Sequence, residues 1–289
     1  MNLMGTPLAS EASTKQYGHV VRHRIVPRQF SVVEGEKIFD TEEVVVGTDA
    51  MPFEDYLYLR GVCFTINTFF SSTELIPLKR LLLESGIEIA DWVFNVTDNI
   101  EKFPDVKEKF DQFMQETREE LFDTQEELVK FYNDPQHYQE LLDGKRGDNL
   151  LRKYKCLVLA ENYASALDLA IQEARPLLQK KLGAKKADSL LKDVSSFLRF
   201  RDMHDLLEEK SIVMEQDVTL QYNIPAWLKT KKKLDQTESS FKYSVKYRKD
   251  IKKHFEEFMK MNKDRSLSLQ ILYRDGTIRE LWPSWTLSS

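Results

Sequence analysis

The chain has 289 residues, of which 42% are hydrophobic and 31% charged, so it can bury a sizeable core in one large domain or two modest ones. Its net charge of −5 argues against a nucleic-acid-attracting field over the whole protein, and only 10 glycines and 9 prolines argue against an all-β fold built on tight turns. Two cysteines, Cys63 and Cys156, lie far apart inside apolar runs. That spacing fits neither a disulfide framework nor a zinc site, and points to buried free thiols in a reducing compartment.

The elements can be read in chain order. Met1–Met4 is an apolar run stopped by Gly5-Thr6-Pro7, as a strand ending in a turn would be. Glu11–Tyr17 predicts a short helix capped by Ser10 and closed by Gly18. His19–Val26 predicts a strand ended by Pro27. Lys37–Gly47 carries Ile38, Val44, Val45 and Val46, a β-branched run that predicts a second strand. Gly47-Thr48-Asp49 then predicts a turn, and Pro52 with Glu54 and Asp55 a first helical turn.

From there helices are expected in succession: Phe53–Phe70, Glu74–Ser85, Glu88–Asn99 with Trp92, Val93 and Val96 on one stripe, Asp105–Leu121 and Thr124–Asn133. Asn149–Leu182 reads as the longest helix, with Pro176 expected to kink or end it because proline cannot donate to the carbonyl four residues back. Ala184–Glu209 is expected to be another. After Lys210 the composition shifts. Ser211–Gln221 and Ser240–Lys246 predict strands, with an Ile-Pro-Ala-Trp turn and a lysine-rich loop between them. Arg248–Met261 predicts a basic amphipathic helix with Ile251, Phe255, Phe258 and Met259 inward, followed by a turn at Arg274-Asp275-Gly276 and a tryptophan-rich tail. The fold class expected is therefore a helix-rich α/β (α+β) chain. Three regions are expected, at 1–50, 51–210 and 211–289.

Charge is unevenly spread. Glu84–Asp143 holds 17 acidic against 5 basic residues, and Lys229–Arg265 holds 13 basic against 6 acidic. Such runs are ordinarily solvated helical faces; the sharper alternative is that the basic stretch docks an acidic surface on this chain or a partner. No basic n-region follows Met1, and the longest apolar stretch, Gly61–Phe70, is half the roughly 20 residues a spanning helix needs. A cytoplasmic protein without membrane contact is expected.

The chemistry-bearing motifs are few. His19 and His23 are four apart on a predicted strand, too far for one metal ion, and there is no phosphate loop, dinucleotide fingerprint or nucleophile elbow. Arg22, Arg24 and Arg28 share parity, and on one strand Arg22 and Arg24 project to one face. They could form an anion-binding edge or a charged edge that discourages strand addition. Glu42 or Glu43, at the start of the next strand, could pair with one of these arginines in a purely structural role. Asp55 and Arg60, five apart on a helix, are expected to be tied separately to the strands beneath.

The ordered set MNLMGTPLASEASTKQYG, RHRIVPRQF, EEVVVGTDAM and PFEDYLYLR resembles the end of the barrel and the following segment in radical S-adenosylmethionine enzymes, in the branch with a cobalamin-binding domain. The resemblance covers residues 1–86. It implies that Gly5, Thr6 and Pro7 lie at the C-terminal rim of a barrel, near the adenine or the substrate. It also makes Arg22, Arg24 and Arg28 candidates for a substrate carboxylate or phosphate. The family's Cys-x-x-x-Cys-x-x-Cys is absent, and two distant cysteines cannot hold the three irons of its [4Fe–4S] cluster. The implied function is the C-terminal portion of such an enzyme, not catalytic alone. S-adenosylmethionine, the [4Fe–4S] cluster and a cobalamin would belong to the complete enzyme, and an upstream barrel chain would be the partner. The alternative is a non-enzymatic helical interaction module or a completing subunit of a split enzyme. Nucleic-acid binding through Lys229–Arg265 is disfavoured by the low overall basicity.

Overall fold

The computed structural model describes residues 11–260, 265–274 and 277–288. The fold is a helix-rich α+β arrangement with one two-stranded and one three-stranded antiparallel sheet. The chain divides into two compact units. One takes the chain up to Phe64 together with Phe110–Tyr154; the other takes Thr65–Lys109 and the chain from Lys155 onward. The strand expected at Met1–Met4, the Gly5-Thr6-Pro7 turn, the Ser10 cap and the turn at Asp275-Gly276 lie outside the described residues.

The first unit is built on a long hairpin. Helix Glu11–Tyr17 leads into β1 (Val20–Val33), which pairs antiparallel with β2 (Glu36–Gly47). The two-residue loop is Glu34-Gly35, both at positive φ (53° and 88°), the backbone twist that suits a tight hairpin. β1 does not stop at Pro27 as expected. The ladder slips between Ile25 and Phe30, so Pro27 sits in a bulge where no ladder donor is required of it. Arg28, at φ 61°, turns its N–H out of the ladder to the Gly147 carbonyl (2.8 Å).

Two apolar clusters cover this hairpin. Val44 and Val46 of β2 pack with Tyr56 and Leu57 of helix Phe53–Thr65, and with Met114 and Leu121. Ile25 packs with Leu128 and Tyr132 of helix Gln125–Asn133 and with Tyr138 and Leu141 of helix Pro135–Leu142, a helix the sequence reading did not anticipate. The Tyr138 hydroxyl lies within hydrogen-bond reach of the Ser31 and Ile38 carbonyls, one from each strand, so the helix is pinned across the hairpin. His23 and Phe122 exchange both backbone hydrogen bonds at 2.8 Å, extending the pairing by one bridge.

The second unit is mainly helical. Ile76–Glu84, Ile89–Asn99, Tyr163–Leu182 and Ala184–Arg199 supply its core, including the fully buried Trp92, whose indole N–H donates to the Ala170 carbonyl (3.0 Å). The predicted helix Asn149–Leu182 breaks at Asn162, giving Leu150–Glu161 and Tyr163–Leu182, and not at Pro176. Pro176 and Gln172, whose carbonyl it cannot serve, are both exposed, and the helix runs on through the proline. Ala184–Glu209 is likewise two helices. It ends at Arg199 and resumes for one turn at His204–Leu207, where Asp202 Oδ1 accepts the His204 N–H (2.9 Å).

β3 (Glu215–Leu220), β4 (Phe241–Lys246) and β5 (Ser284–Leu287) form the second sheet in that order. The Ile-Pro-Ala-Trp segment is a short helix, Ile224–Leu228, capped by Asn223, where a turn was expected. In helix Ile251–Lys260 only Ile251 and Phe255 are buried; Phe258 and Met259 are half-buried. Helix Arg265–Arg274 was not anticipated. Trp285 of β5 packs on Phe197, Phe200 and Tyr243. Among the described residues no helix is long and apolar enough to cross a membrane.

Candidate functional site

The predicted arginines lead to a charged cleft in the first unit. Arg24 on β1 stands opposite Glu42 on β2. Its Nε donates to Glu42 Oε1 (2.8 Å) and its Nη1 to Glu120 Oε1 (2.7 Å). Arg60 adds a longer contact to the same Glu120 oxygen (3.9 Å). Among the described residues Arg60 is therefore tied to Glu120, at the end of a helical stretch, where the strands beneath were expected to hold it. Burial works against the Arg24 charge, but Glu120 and Glu42 outweigh it and hold the guanidinium pKa above its ordinary value. Burial pushes Glu120 up, and Arg24 and Arg60 offset this only in part.

Glu120 lines a cleft of about 210 Å³ together with Glu116, Glu119, Glu140, Lys145 and Arg146, floored by Tyr132, Gly147 and Leu150. Each of these charges has an internal partner. Lys153 Nζ donates to both oxygens of Glu116 at 2.8 Å, and the Tyr154 hydroxyl donates to Glu116 Oε1 at 2.7 Å. Arg146 Nε donates to Glu140 Oε2 at 2.8 Å, its Nη1 stands 3.8 Å from Glu119, and its guanidinium lies over the Phe131 ring. Lys145 is 3.6 Å from Asp143. Burial pushes the Tyr132 hydroxyl up to about 12. The cleft is thus a closed network of matched charges.

Arg28 joins this network from the bulge. Its Nε and Nη2 hold both oxygens of Asp148 (3.0 and 2.8 Å), a carboxylate only 3% exposed. Arg22 pairs with Asp123, and this pair is the most exposed of the three. The structure therefore puts all three arginines in one unit, but on separate carboxylates: Arg24 on Glu42 and Glu120, Arg28 on Asp148 and Arg22 on Asp123. Glu120, Asp148 and Asp123 escaped the sequence reading. They lie about a hundred residues from their partners, and nothing in the local sequence shows which arginine each will meet. Gly5, Thr6 and Pro7 lie outside the described residues.

The donor set does not fit a [4Fe–4S] cluster. Cys63 is half-buried in the first unit and Cys156 buried in the second, neither in a disulfide. Among the described residues no group of three His, Cys, Asp or Glu side chains could hold a metal ion. No protein-family model and no curated protein sequence matches the chain.

Proposed function

We propose that this chain is the C-terminal portion, the last barrel strand and the region after it, of a radical S-adenosylmethionine enzyme of the cobalamin-binding branch, not catalytic alone and acting with a barrel that carries the cysteine triplet. The observation that carries the reading is the ordered set of motifs: Gly5-Thr6-Pro7-Leu8, then Arg22 to Arg28, then Glu42–Met51 running directly into Pro52–Arg60. The chain's own part in such an enzyme is scaffolding. Arg24 and Arg28 hold the hairpin to the helices behind it through Glu120 and Asp148, so a substrate carboxylate would have to displace a carboxylate already in place. Arg22 keeps the better claim to a substrate anion, because its Asp123 partner is exposed and easily exchanged. S-adenosylmethionine, the cluster and any cobalamin would be held by the barrel side, with Gly5, Thr6 and Pro7 as this chain's candidates for contact with them.

The test is to express the chain together with the product of an adjacent reading frame that encodes Cys-x-x-x-Cys-x-x-Cys. Anaerobic co-purification of the two, with reductive cleavage of S-adenosylmethionine only when both are present, is the expected result. Failure of the two chains to associate would count against the reading. A second reading, a non-enzymatic interaction module, draws on the exposed Lys231, Lys232 and Lys233; it predicts association with a partner that has no cluster.

A further inference from the structure

We propose that the outer face of helix Ile76–Glu84, together with the lysine-rich loop seated on its end, docks an acidic amphipathic helix of a partner protein. The surface belongs wholly to the second unit. This docking rests on the second reading above, to which it supplies the chemistry of the partner, and needs nothing from the enzyme reading.

The helix buries Pro77, Leu78, Leu81 and Leu82. By the helical repeat, the opposite side carries Ile76, Lys79, Arg80 and Leu83. Leu83 is 56% exposed and Ile76 37%. Phe70, also 37% exposed, adjoins them through Lys79, whose ammonium donates to the Phe70 and Ser72 carbonyls and lies 5.5 Å from the centre of the Phe70 ring. Arg80 and Glu84 turn to one flank and hold a loop there. Arg80 Nη1 donates to the Trp227 (3.0 Å) and Thr230 (2.9 Å) carbonyls, and its Nη2 to that of Lys232. Glu84 Oε1 accepts the Trp227 indole N–H (3.1 Å) and its Oε2 the Leu234 N–H (2.9 Å). The loop thus has a fixed backbone, and it presents Lys229, Lys231, Lys232 and Lys233, all exposed. Among the described residues none of these four pairs with a carboxylate. Glu84 is spent on holding the loop, and Asp235 Oδ1 accepts the Thr237 N–H (2.9 Å).

An exposed apolar stripe bordered by unpaired lysines has both halves of an amphipathic interface. Ile76 and Leu83 are seven residues apart, about 10 Å along the axis, the spacing of a two-turn apolar stripe on a facing helix. The lysines stand to one flank of that stripe, so glutamates beside the partner's stripe would meet the loop in one orientation. Charge complementarity therefore selects an acidic partner. Burial lowers the Lys79 ammonium to about 8, against the pull of Glu74 and with Lys155, Arg201 and Arg279 adding to it, so a partner carboxylate would be favoured at that end as well. A bilayer fits less well: Phe70 and Ile76 lie too nearly flush to reach about 5–10 Å into a headgroup layer. So does a nucleic acid, because Lys79 covers the Phe70 ring and closes that face to base stacking.

The test is fluorescence anisotropy of two labelled synthetic helices titrated with the full chain, one with a leucine stripe and glutamate elsewhere, the other with lysine in place of the glutamate. Saturable one-to-one binding of the acidic helix and none of the basic one is expected. Leu83→Glu changes only the exposed face, and the combined Lys231→Glu, Lys232→Glu and Lys233→Glu variant leaves the loop's backbone bonds in place. Each should weaken binding about tenfold or more at the parent's melting temperature. Vesicles containing phosphatidylserine and a single-stranded oligonucleotide, run beside the peptides, should not bind. No saturable binding of the acidic helix, equal binding of the basic one, affinity unchanged in either variant, or vesicle or oligonucleotide binding that is lost in the same variants would overturn the docking. The second reading itself is decided separately, by whether the co-purifying partner carries a cluster.

Discussion

Arg24 is gripped from two sides, by Glu42 across the strand pair and by Glu120 from beyond it, and both Arg24 and Glu120 keep only 19% of their side-chain surface in contact with solvent. Removing the arginine leaves Glu120 withdrawn from water with only the distant Arg60. Arg24→Ala should therefore cost about 3 kcal/mol, as breaking buried pairs does, and chemical denaturation of the purified chain would show it. Arg24→Lys should cost less but not nothing, because lysine keeps the charge and loses the fork that reaches two carboxylates at once. Gly147 offers a second residue-scale test. Its φ is +70°, and a Cβ there would stand 2.7 Å from Leu141 Cδ2 and 2.8 Å from Phe30 Cε1. Gly147→Ala should destabilise by more than about 1 kcal/mol and shift the Arg28–Asp148 pair beside it. Circular dichroism melts of the variant and the parent would report the loss. Of these residues, sequence reasoning reached the pairing of Arg24 with Glu42 or Glu43, because neighbouring strands of a hairpin must face one another. It could not reach Glu120, since nothing local distinguishes it from Glu116 or Glu119.

At the scale of elements, the same contrast has a physical cause. Val44–Gly47, the turn after it and the helix opening at Pro52 were legible because β-branched residues, a glycine and a proline act within a few positions. Pro27 was misread because its meaning depends on a distant acceptor: β1 survives the proline only through a bulge that sends the Arg28 N–H to Gly147. Helix Pro135–Leu142 has a local signal in the sequence, an aspartate followed by proline. Asp134 Oδ1 accepts the N–H groups of Gln136 (2.8 Å) and His137 (3.3 Å). These bonds, that from Gln136 first, hold the Asp134 carboxyl below its ordinary value. A carboxyl depressed in the folded state contributes stability above its unfolded pKa, about 3.9, and loses it as the pH falls through the lower folded value. The stability difference between the parent and Asp134→Ala should be level at neutral pH and shrink as the pH falls below about 4. Urea titrations at a series of pH values would check this, and a difference that grows toward acid would contradict the capping role.

At the scale of the whole molecule, the acidic stretch Glu84–Asp143 is not simply a solvated face. In the first unit its Glu116, Glu119, Glu120 and Glu140 turn into a cleft and find lysine, arginine and tyrosine partners there. The basic stretch behaves differently, with Lys231, Lys232, Lys233, Lys252 and Lys253 exposed in the second unit. Composition gave the helix-rich α+β class correctly, since few glycines and prolines and many helical stripes constrain it. It could not show how the chain divides, because Phe110–Tyr154 joins the hairpin of residues 20–47 across an intervening stretch of the other unit. The central claim is that this chain supplies scaffold to a cluster-bearing barrel and holds no cluster itself. The most direct measurement is anaerobic reconstitution with iron and sulfide, read by bound iron and sulfide and by the electron paramagnetic resonance of the reduced sample. It would be run on the chain alone and on the chain with its cysteine-triplet partner. The account predicts no cluster on the chain alone and one per pair in the complex. A stoichiometric [4Fe–4S] cluster on the chain by itself would contradict it.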